Sequence, residues 1–224
     1  RHDFEDLRML VCDANHNLER FKLVTFTWGN VSGIDREKGV VAIKPSGVEY
    51  NKIEPDQIVL VDLATGKVLE GDLRPSSDTP THLVLYRAFL ELGWITHTHS
   101  PYATIFAQAC RGIPALGTTH ADSFRGEIPV TRPLFKKEVE GDYETNTGVV
   151  IVDRFAKLNP VDIPGVLVAN HGPFAWAKTP AESVDNSLIL EQVAQMAYGT
   201  LTLNPQLMSL PPHLVEKHFT RKHG

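Results

Sequence analysis

Between residues 4 and 20 the apolar positions Phe4, Leu7, Leu10, Val11, Ala14 and Leu18 recur at three- and four-residue intervals. That period predicts an amphipathic helix with one buried stripe. The pattern then changes. Leu23-Val24-Thr25-Phe26-Thr27-Trp28 is β-branched and aromatic and predicts a strand ending at Gly29-Asn30. Val40 to Lys44 predicts a second, stopped by Pro45-Ser46-Gly47, and Ile58–Leu63 with Val68–Glu70 predicts a hairpin around Ala64-Thr65-Gly66-Lys67. A helix over 80–92 follows, capped by Asp78 or Thr79, with Pro80 in its first turn. Trp94 to His99 predicts a strand, Tyr102 to Cys110 a helix, and Ile128–Val130 and Val149–Val152 short strands. Gly165 to Asn170 predicts a buried strand ending at His171-Gly172, and a long helix runs from about Pro180 to Leu201.

Strands interleaved with helices predict an α/β fold of the α+β type, a single domain over residues 1–224. Hairpin-linked pairs favour a central mixed, largely antiparallel sheet covered by helices. Neither a Gly-rich dinucleotide loop nor a Walker sequence occurs, so no nucleotide cofactor is expected.

Composition narrows the class. The chain has 224 residues, 42% hydrophobic and 22% charged, enough to bury a sizeable core. A net charge of -5 with interspersed signs argues against nucleic-acid or anionic-membrane partners. The local exception is the basic cluster Lys217, His218, Arg221, Lys222 and His223. Two cysteines, Cys12 and Cys110, both in apolar, helix-like surroundings, fit a reducing cytoplasm better than a disulfide framework. The opening Arg1–Asp6 lacks the apolar core of a signal peptide, and no run approaches the ~20 residues of a membrane span. The absence of an initiator Met fits a chain trimmed at its ends.

Histidine spacing introduces chemistry. On a strand, His97 and His99 would project from one face with Cα atoms ~7 Å apart. Both rings could then reach one ion through bonds of ~2.0–2.1 Å. His171, followed by Gly172-Pro173, is presented at a strand end rather than packed. Three His and an open position suit a catalytic divalent ion, and Asp78 could add an oxygen ligand. Of the ten His, His2, His16, His213 and His223 read as surface groups. His82 reads as a helix-face residue, with a role in supporting a ligand left open.

Gly29-Asn30, Ser46-Gly47 and Ser76-Ser77 could cradle an oxyanion, although each alone reads as a turn. The last pair precedes a helix start, where free N–H groups and the helix dipole converge. Lys44 could neutralise a phosphate or a developing oxyanion, or simply end its strand in water.

These segments resemble a known family. Leu23–Ser32, Ile43–Val48, Arg74–His82, His97–Ser100, Gly117–Asp122, His171–Trp176 and Lys217–Gly224 are similar, in register, to motifs of the class II aldolase/epimerase family. The resemblance covers essentially the whole chain and is nearest the family's 4-epimerases. It implies a homotetramer with active sites at subunit interfaces, and zinc, manganese or cobalt held by His97, His99 and His171 with Asp78 in support. It implies phosphate contacts from Gly29, Asn30, Ser46, Gly47, Ser76 and Ser77, with Lys44 near the reacting oxygens. Asp122, a loop or cap residue on its own merits, becomes an acid/base group reaching in from a neighbouring subunit, and His218 joins the catalytic set. The family's epimerases also use a Tyr a few residues beyond the position of Gly224, so a tail carrying it is expected.

The implied activity is C4 epimerisation of L-ribulose 5-phosphate to D-xylulose 5-phosphate. C4 is not adjacent to the C2 carbonyl, so its C–H is not acidic and simple deprotonation cannot invert it. Retro-aldol cleavage of C3–C4, rotation of the glycolaldehyde phosphate and re-addition can. A sugar 1-phosphate aldolase, such as one for L-fuculose 1-phosphate, is the nearest alternative, although those relatives carry Glu where this chain has Asp78. A non-catalytic metal- or sugar-phosphate-binding protein and a purely structural subunit are the others.

Overall fold

The computed structural model describes residues 4–224, so His2 lies outside the described residues. In chain order the elements are α1 (Glu5–Arg20), β1 (Asn30–Asp35), β2 (Val40–Ile43), β3 (Val59–Asp62), β4 (Val68–Glu70), α2 (Thr79–Ala88), β5 (Trp94–His97) and α3 (Pro101–Gln108). They continue with α4 (Thr118–Ser123), α5 (Lys136–Glu140), α6 (Tyr143–Arg154), β6 (Gly165–Val168), β7 (Gly172–Ala177), α7 (Pro180–Leu203) and α8 (Pro212–His223).

The strands form one sheet in the order β4-β3-β2-β1-β5-β7-β6, and every neighbouring pair is antiparallel. Among the described residues one parallel bridge, Val130 with Leu167, supplies the mixed character. The architecture is the α/β type expected, an antiparallel sheet with helices on it. Alternation along the strands sorts the core into two layers. Val31, Val40, Ala42, Leu60 and Trp94 pack with α1 on one face. Val41, Ile43, Val59, Val61 and Ile95 pack with α2, α3, α6 and α7 on the other. No helix among the described residues is long and apolar enough to cross a membrane.

Several boundaries differ from the sequence reading. Leu23–Trp28 is not a strand: Phe26 takes a positive φ of 52°, and Trp28 N–H closes a turn onto Thr25. Its aromatics are turned out, with Phe26 76% exposed, so a β-rich composition here served a surface loop. Val149–Val152 lies inside α6, where Asp142 caps the helix by accepting from Thr145 N–H. The apolar run fitted either period, and packing of α6 on α2 decided it. Ile128 and Val130 make isolated bridges rather than a strand. The helix after Pro80 ends at Ala88, since Phe89 is extended. The next helix stops at Gln108, and Cys110 is exposed with a positive φ instead of lying in it. Strand β7 and helices α4, α5 and α8 were not anticipated.

One glycine fixes how closely β1 approaches β5. Gly29 has φ +86°, and a Cβ there would lie 2.5 Å from the His97 carbonyl oxygen. Gly199, within α7, has open space where a Cβ would stand, with nothing within 4 Å. Gly29→Ala is therefore expected to destabilise the protein by ~1–3 kcal/mol, whereas Gly199→Ala stabilises it by ~0.5–1 kcal/mol. Urea midpoints of the two variants check the contrast, and equal shifts would contradict the close approach.

Candidate metal centre

Three elements deliver the imidazoles. His97 is the last residue of β5, directly opposite Asn30 of β1 and Phe174 of β7. Its ring stacks on Phe174 at 4.1 Å between centroids, and Nδ1 lies 2.8 Å from the Pro173 carbonyl. A carbonyl only accepts, so Nδ1 carries the proton and Nε2 is left as a lone pair. His99 lies past the strand end, not on it as expected, in the connection to α3. That connection is held at its far side by buried Glu191, whose carboxylate accepts from Tyr102 and Ala103 N–H at 3.1 and 2.8 Å. His171 sits in the three-residue loop that the pairing of Val168 with Gly172 leaves between β6 and β7. Asn170 turns that loop with φ 66°, and a Cβ on Gly172 would press within 2.9 Å of the Thr98 carbonyl.

One candidate ligand atom from each of His97, His99 and His171 lies within 4.8 Å of the others. The Nε2 atoms of His97 and His99 are 3.2 Å apart. Two nitrogens bound tetrahedrally to one zinc-sized ion sit roughly 3.3–3.4 Å apart. Among the described residues His171 Nδ1 is buried without a hydrogen-bond partner, so none of them claims that atom. The donor set and its spacing fit a divalent cation.

Burial disfavours protonation of all three rings. It holds His97 down to about 3 against the opposing pull of Asp78, and it lowers His99 and His171 as well. Neutral imidazole is the ligating form. Asp78 occupies the N-cap position of α2, yet its side chain does not cap the helix. It turns inward instead, with Oδ2 2.8 Å from Asn30 Nδ2 and 3.9 Å from His97 Nε2. Burial pushes the Asp78 carboxyl up, but nearby His97 and His82, the Asn30 amide and His171 more than offset it, and the net direction is down.

His99 and His171 open onto a cleft of about 380 Å³ that also receives Lys44, Ser46, Gly47, Ser76, Ser77 and Gly29, while buried His97 does not itself line it. Two loops form its floor by pairing: Ser46 N–H donates to the Arg74 carbonyl and Ser76 N–H to that of Lys44. Ser76 Oγ accepts from Asn30 Nδ2 at 2.8 Å and from Asp78 N–H at 3.3 Å. The Ser76 proton is thereby left to donate outward. Lys44 is 1% exposed; its ammonium donates to the Pro45 carbonyl and sits 4.8 Å from the Tyr50 ring centre. Among the described residues no carboxylate forms an ion pair with it, and burial lowers it to about 8. A buried cation without an anion beside free hydroxyls is able to receive an oxyanion.

Not every expected residue arrives here. Asp122 on α4 pairs with His218 on α8, Oδ1 to Nδ1 at 3.0 Å, with Arg221 3.8 Å away and His223 bonded to the Asp122 carbonyl. Neither Asp122 nor His218 lines the cleft of its own chain. Asn30 does border it, but both its amide hydrogens are engaged by Ser76 and Asp78. Three residues that the sequence reading passed over stand in the wall. Tyr143 stacks on His171 at 6.4 Å, Glu144 follows it, and Trp28 lies 6.1 Å from His99. Burial, with Asp78 and Glu144, raises the Tyr143 phenol. The Asp142 cap that starts α6 was the available signal for the first two. Of the His assigned to the surface, His16 instead bonds the Ile53 carbonyl at 2.9 Å.

Residues 9–198 match the Class II Aldolase and Adducin N-terminal domain family. The structure is similar to an L-fuculose 1-phosphate aldolase at 26% identity and a TM-score of 0.82, covering 98% of this chain and 97% of that one. It is also similar to YgbL, a putative aldolase/epimerase/decarboxylase from Klebsiella pneumoniae, at 24% identity and TM-score 0.73, over 95% and 97% of the two chains. An L-fuculose-1-phosphate aldolase from Thermus thermophilus gives 20% identity and TM-score 0.68, over 91% and 98%.

The buried rings give a pH signature in the metal-free protein. His97 and His82 are held to about 3 against 6.5 for an ordinary imidazole. Between those values the unfolded chain binds more protons than the folded one, so stability falls as pH drops through the window. Each ring contributes up to ~1.4 kcal/mol per pH unit. The urea midpoint of metal-free protein is expected to be lower at pH 5 than at pH 7, and an unchanged midpoint would contradict neutral burial.

Proposed function

The chain belongs to the Class II Aldolase and Adducin N-terminal domain family, and on that premise we propose that it is a divalent-metal-dependent 4-epimerase. Its substrate is L-ribulose 5-phosphate and its product D-xylulose 5-phosphate, interconverted by breaking and remaking the C3–C4 bond. The observation that carries this reading is one cleft lined by His99, His171 and a buried Lys44 that no carboxylate among the described residues pairs with, with His97 completing the cluster of neutral imidazoles.

His97, His99 and His171 hold the cation, zinc by preference and manganese or cobalt as substitutes, with Asp78 in support. The bound ion supplies Lewis acidity to a carbonyl and the neighbouring hydroxyl. Ser46, Gly47, Ser76, Ser77 and Gly29 receive the phosphate, with Lys44 as its counter-charge; Asn30 orients Ser76 and Asp78. Bond cleavage at C3–C4 needs a base for the C4 hydroxyl proton and an acid to return it on re-addition. Asp122, with His218 against it, takes one of these roles by reaching into a neighbouring subunit's cleft in a homotetramer. The cycle is redox-neutral, and the cytoplasm suits the two unpaired thiols.

Likeness to an L-fuculose 1-phosphate aldolase supports a second reading, cleavage without re-addition. Asp78, a shorter acid than the Glu of such relatives, favours the epimerase. Incubation with L-ribulose 5-phosphate separates the two, since an isomeric pentulose phosphate marks epimerisation and accumulating aldehyde marks cleavage.

Activity is expected to vanish in chelator and return with zinc, manganese or cobalt; full turnover in thoroughly chelated protein would overturn the proposal. Lys44→Met removes the buried counter-charge and is expected to weaken phosphate binding by ~1.5–3 kcal/mol, about 10- to 100-fold in KM. Because Lys44 loses its proton above about 8, kcat/KM is expected to fall on the alkaline side of that pH. A Lys44→Met enzyme with unchanged KM would remove Lys44 from the site.

A further inference from the structure

Behind the metal centre a line of polar side chains crosses the otherwise apolar layer between the sheet and α2. Tyr86 Oη lies 2.8 Å from Ser32 Oγ, and Ser32 Oγ lies 2.6 Å from His82 Nδ1. His82 Nε2 lies 2.6 Å from Asn30 Oδ1, and Asn30 Nδ2 lies 2.8 Å from Asp78 Oδ2. Ser32, His82 and Tyr86 are fully buried. Two periods mesh to build the line. Asp78, His82 and Tyr86 are four apart on α2, ~6.0 Å per step. Asn30 and Ser32 are two apart on β1, ~6.6 Å per step. The repeats run in step, so helix and strand side chains alternate along it.

The bonding direction follows from the ends. An ionised Asp78 only accepts, so Asn30 presents its NH₂ to Asp78 and its carbonyl oxygen to His82. That oxygen also only accepts, so His82 Nε2 carries the ring proton. Neutral His82 then has a bare Nδ1, which accepts a hydrogen bond from the Ser32 hydroxyl, and Ser32 Oγ accepts from Tyr86. Every donor in the line thus points toward Asp78 and no member can be reversed alone. If His82 carried its proton on Nδ1, Asn30 would have to flip and set its carbonyl oxygen against the Asp78 carboxylate.

We propose that Ser32 and His82 are positioning residues that lock the Asn30 amide toward Asp78 and thereby hold the carboxylate against the metal centre. This inference rests on the reading of the His trio as a metal centre, and not on the identity of the sugar. It also explains a polar line in a layer where buried polar groups are costly unless every one is paired.

The test pairs a spectroscopic measurement with a metal titration. In metal-free protein labelled with ¹⁵N-histidine, His82 is expected as the Nε2–H tautomer; in Ser32→Ala the Asn30 carbonyl still requires that tautomer, and the bare Nδ1 resonance is expected to move as its hydrogen bond is lost. Cobalt titration of the whole chain, without any sugar, is expected to show binding weakened by about 10- to 100-fold in Ser32→Ala. Tyr86→Phe leaves Ser32 able to donate and is expected to keep both the tautomer and an affinity within about threefold. An Nδ1–H tautomer in the unsubstituted protein, or Ser32→Ala binding cobalt as tightly as the parent, would overturn the proposal. Failure of the unsubstituted protein to bind cobalt, with the Nε2–H tautomer intact, would remove the metal centre and this role with it. Epimerase activity, present or absent, alters none of these readings.

Discussion

The Pro173 carbonyl, 2.8 Å from His97 Nδ1, decides the protonation pattern on which the site depends. It obliges Nδ1 to carry the proton and leaves Nε2 bare, 3.2 Å from the Nε2 of His99. Two ring nitrogens at that distance need something positive between them. In the ion-free chain a proton on His99 can serve. A cation serves better, because burial holds His97, His99 and His171 away from the imidazolium form. The sheet cannot relax this arrangement cheaply. His97 is pinned by pairing to Asn30 and Phe174 on its two sides, and Gly29 and Gly172 admit the neighbouring backbones so closely that side chains cannot intervene.

The same pairing that fixes the rings fixes the rest of the cleft. Asn30 lies opposite His97 across β1 and β5, and through its amide it orients both Ser76 and Asp78. The loop carrying Ser46 and the loop carrying Ser76 are bonded to each other through Lys44 and Arg74 carbonyls. The Ser46 and Ser76 loops and the His cluster are therefore joined through side-chain and main-chain hydrogen bonds rather than placed independently. Under the proposed function, such coupling lets one end of a sugar phosphate be anchored while the other end changes.

Much of this was legible in the sequence for physical reasons that can be named. His-x-His on an apolar run and His171 before Gly-Pro carried the centre because few structural roles ask for that combination. The Ser-Gly and Ser-Ser turns were legible as candidate cleft-lining segments because small residues leave amides and hydroxyls uncovered. Other features were hidden. Leu23–Trp28 has strand composition but serves as a surface loop, since composition does not report which side chains end up covered. Val149–Val152 fits either period, and only contact with α2 selects helix. Tyr143 and Glu144 were lost with that misreading. The polar line through His82 was visible only as a spacing, Asp78-x₃-His82-x₃-Tyr86 against Asn30-x-Ser32, whose meaning needed the sheet and helix side by side. Asp122 and His218 meet each other away from the cleft of their own chain, a geometry that no single-chain sequence pattern encodes.

The most direct measurement of the central claim is zinc-edge X-ray absorption on the chain loaded with one equivalent of zinc. Three imidazole nitrogens at ~2.0–2.1 Å are expected, with that shell lost when His97 or His171 is replaced by Ala. An all-oxygen shell, or an imidazole shell that survives both replacements because the ion sits elsewhere, would contradict it.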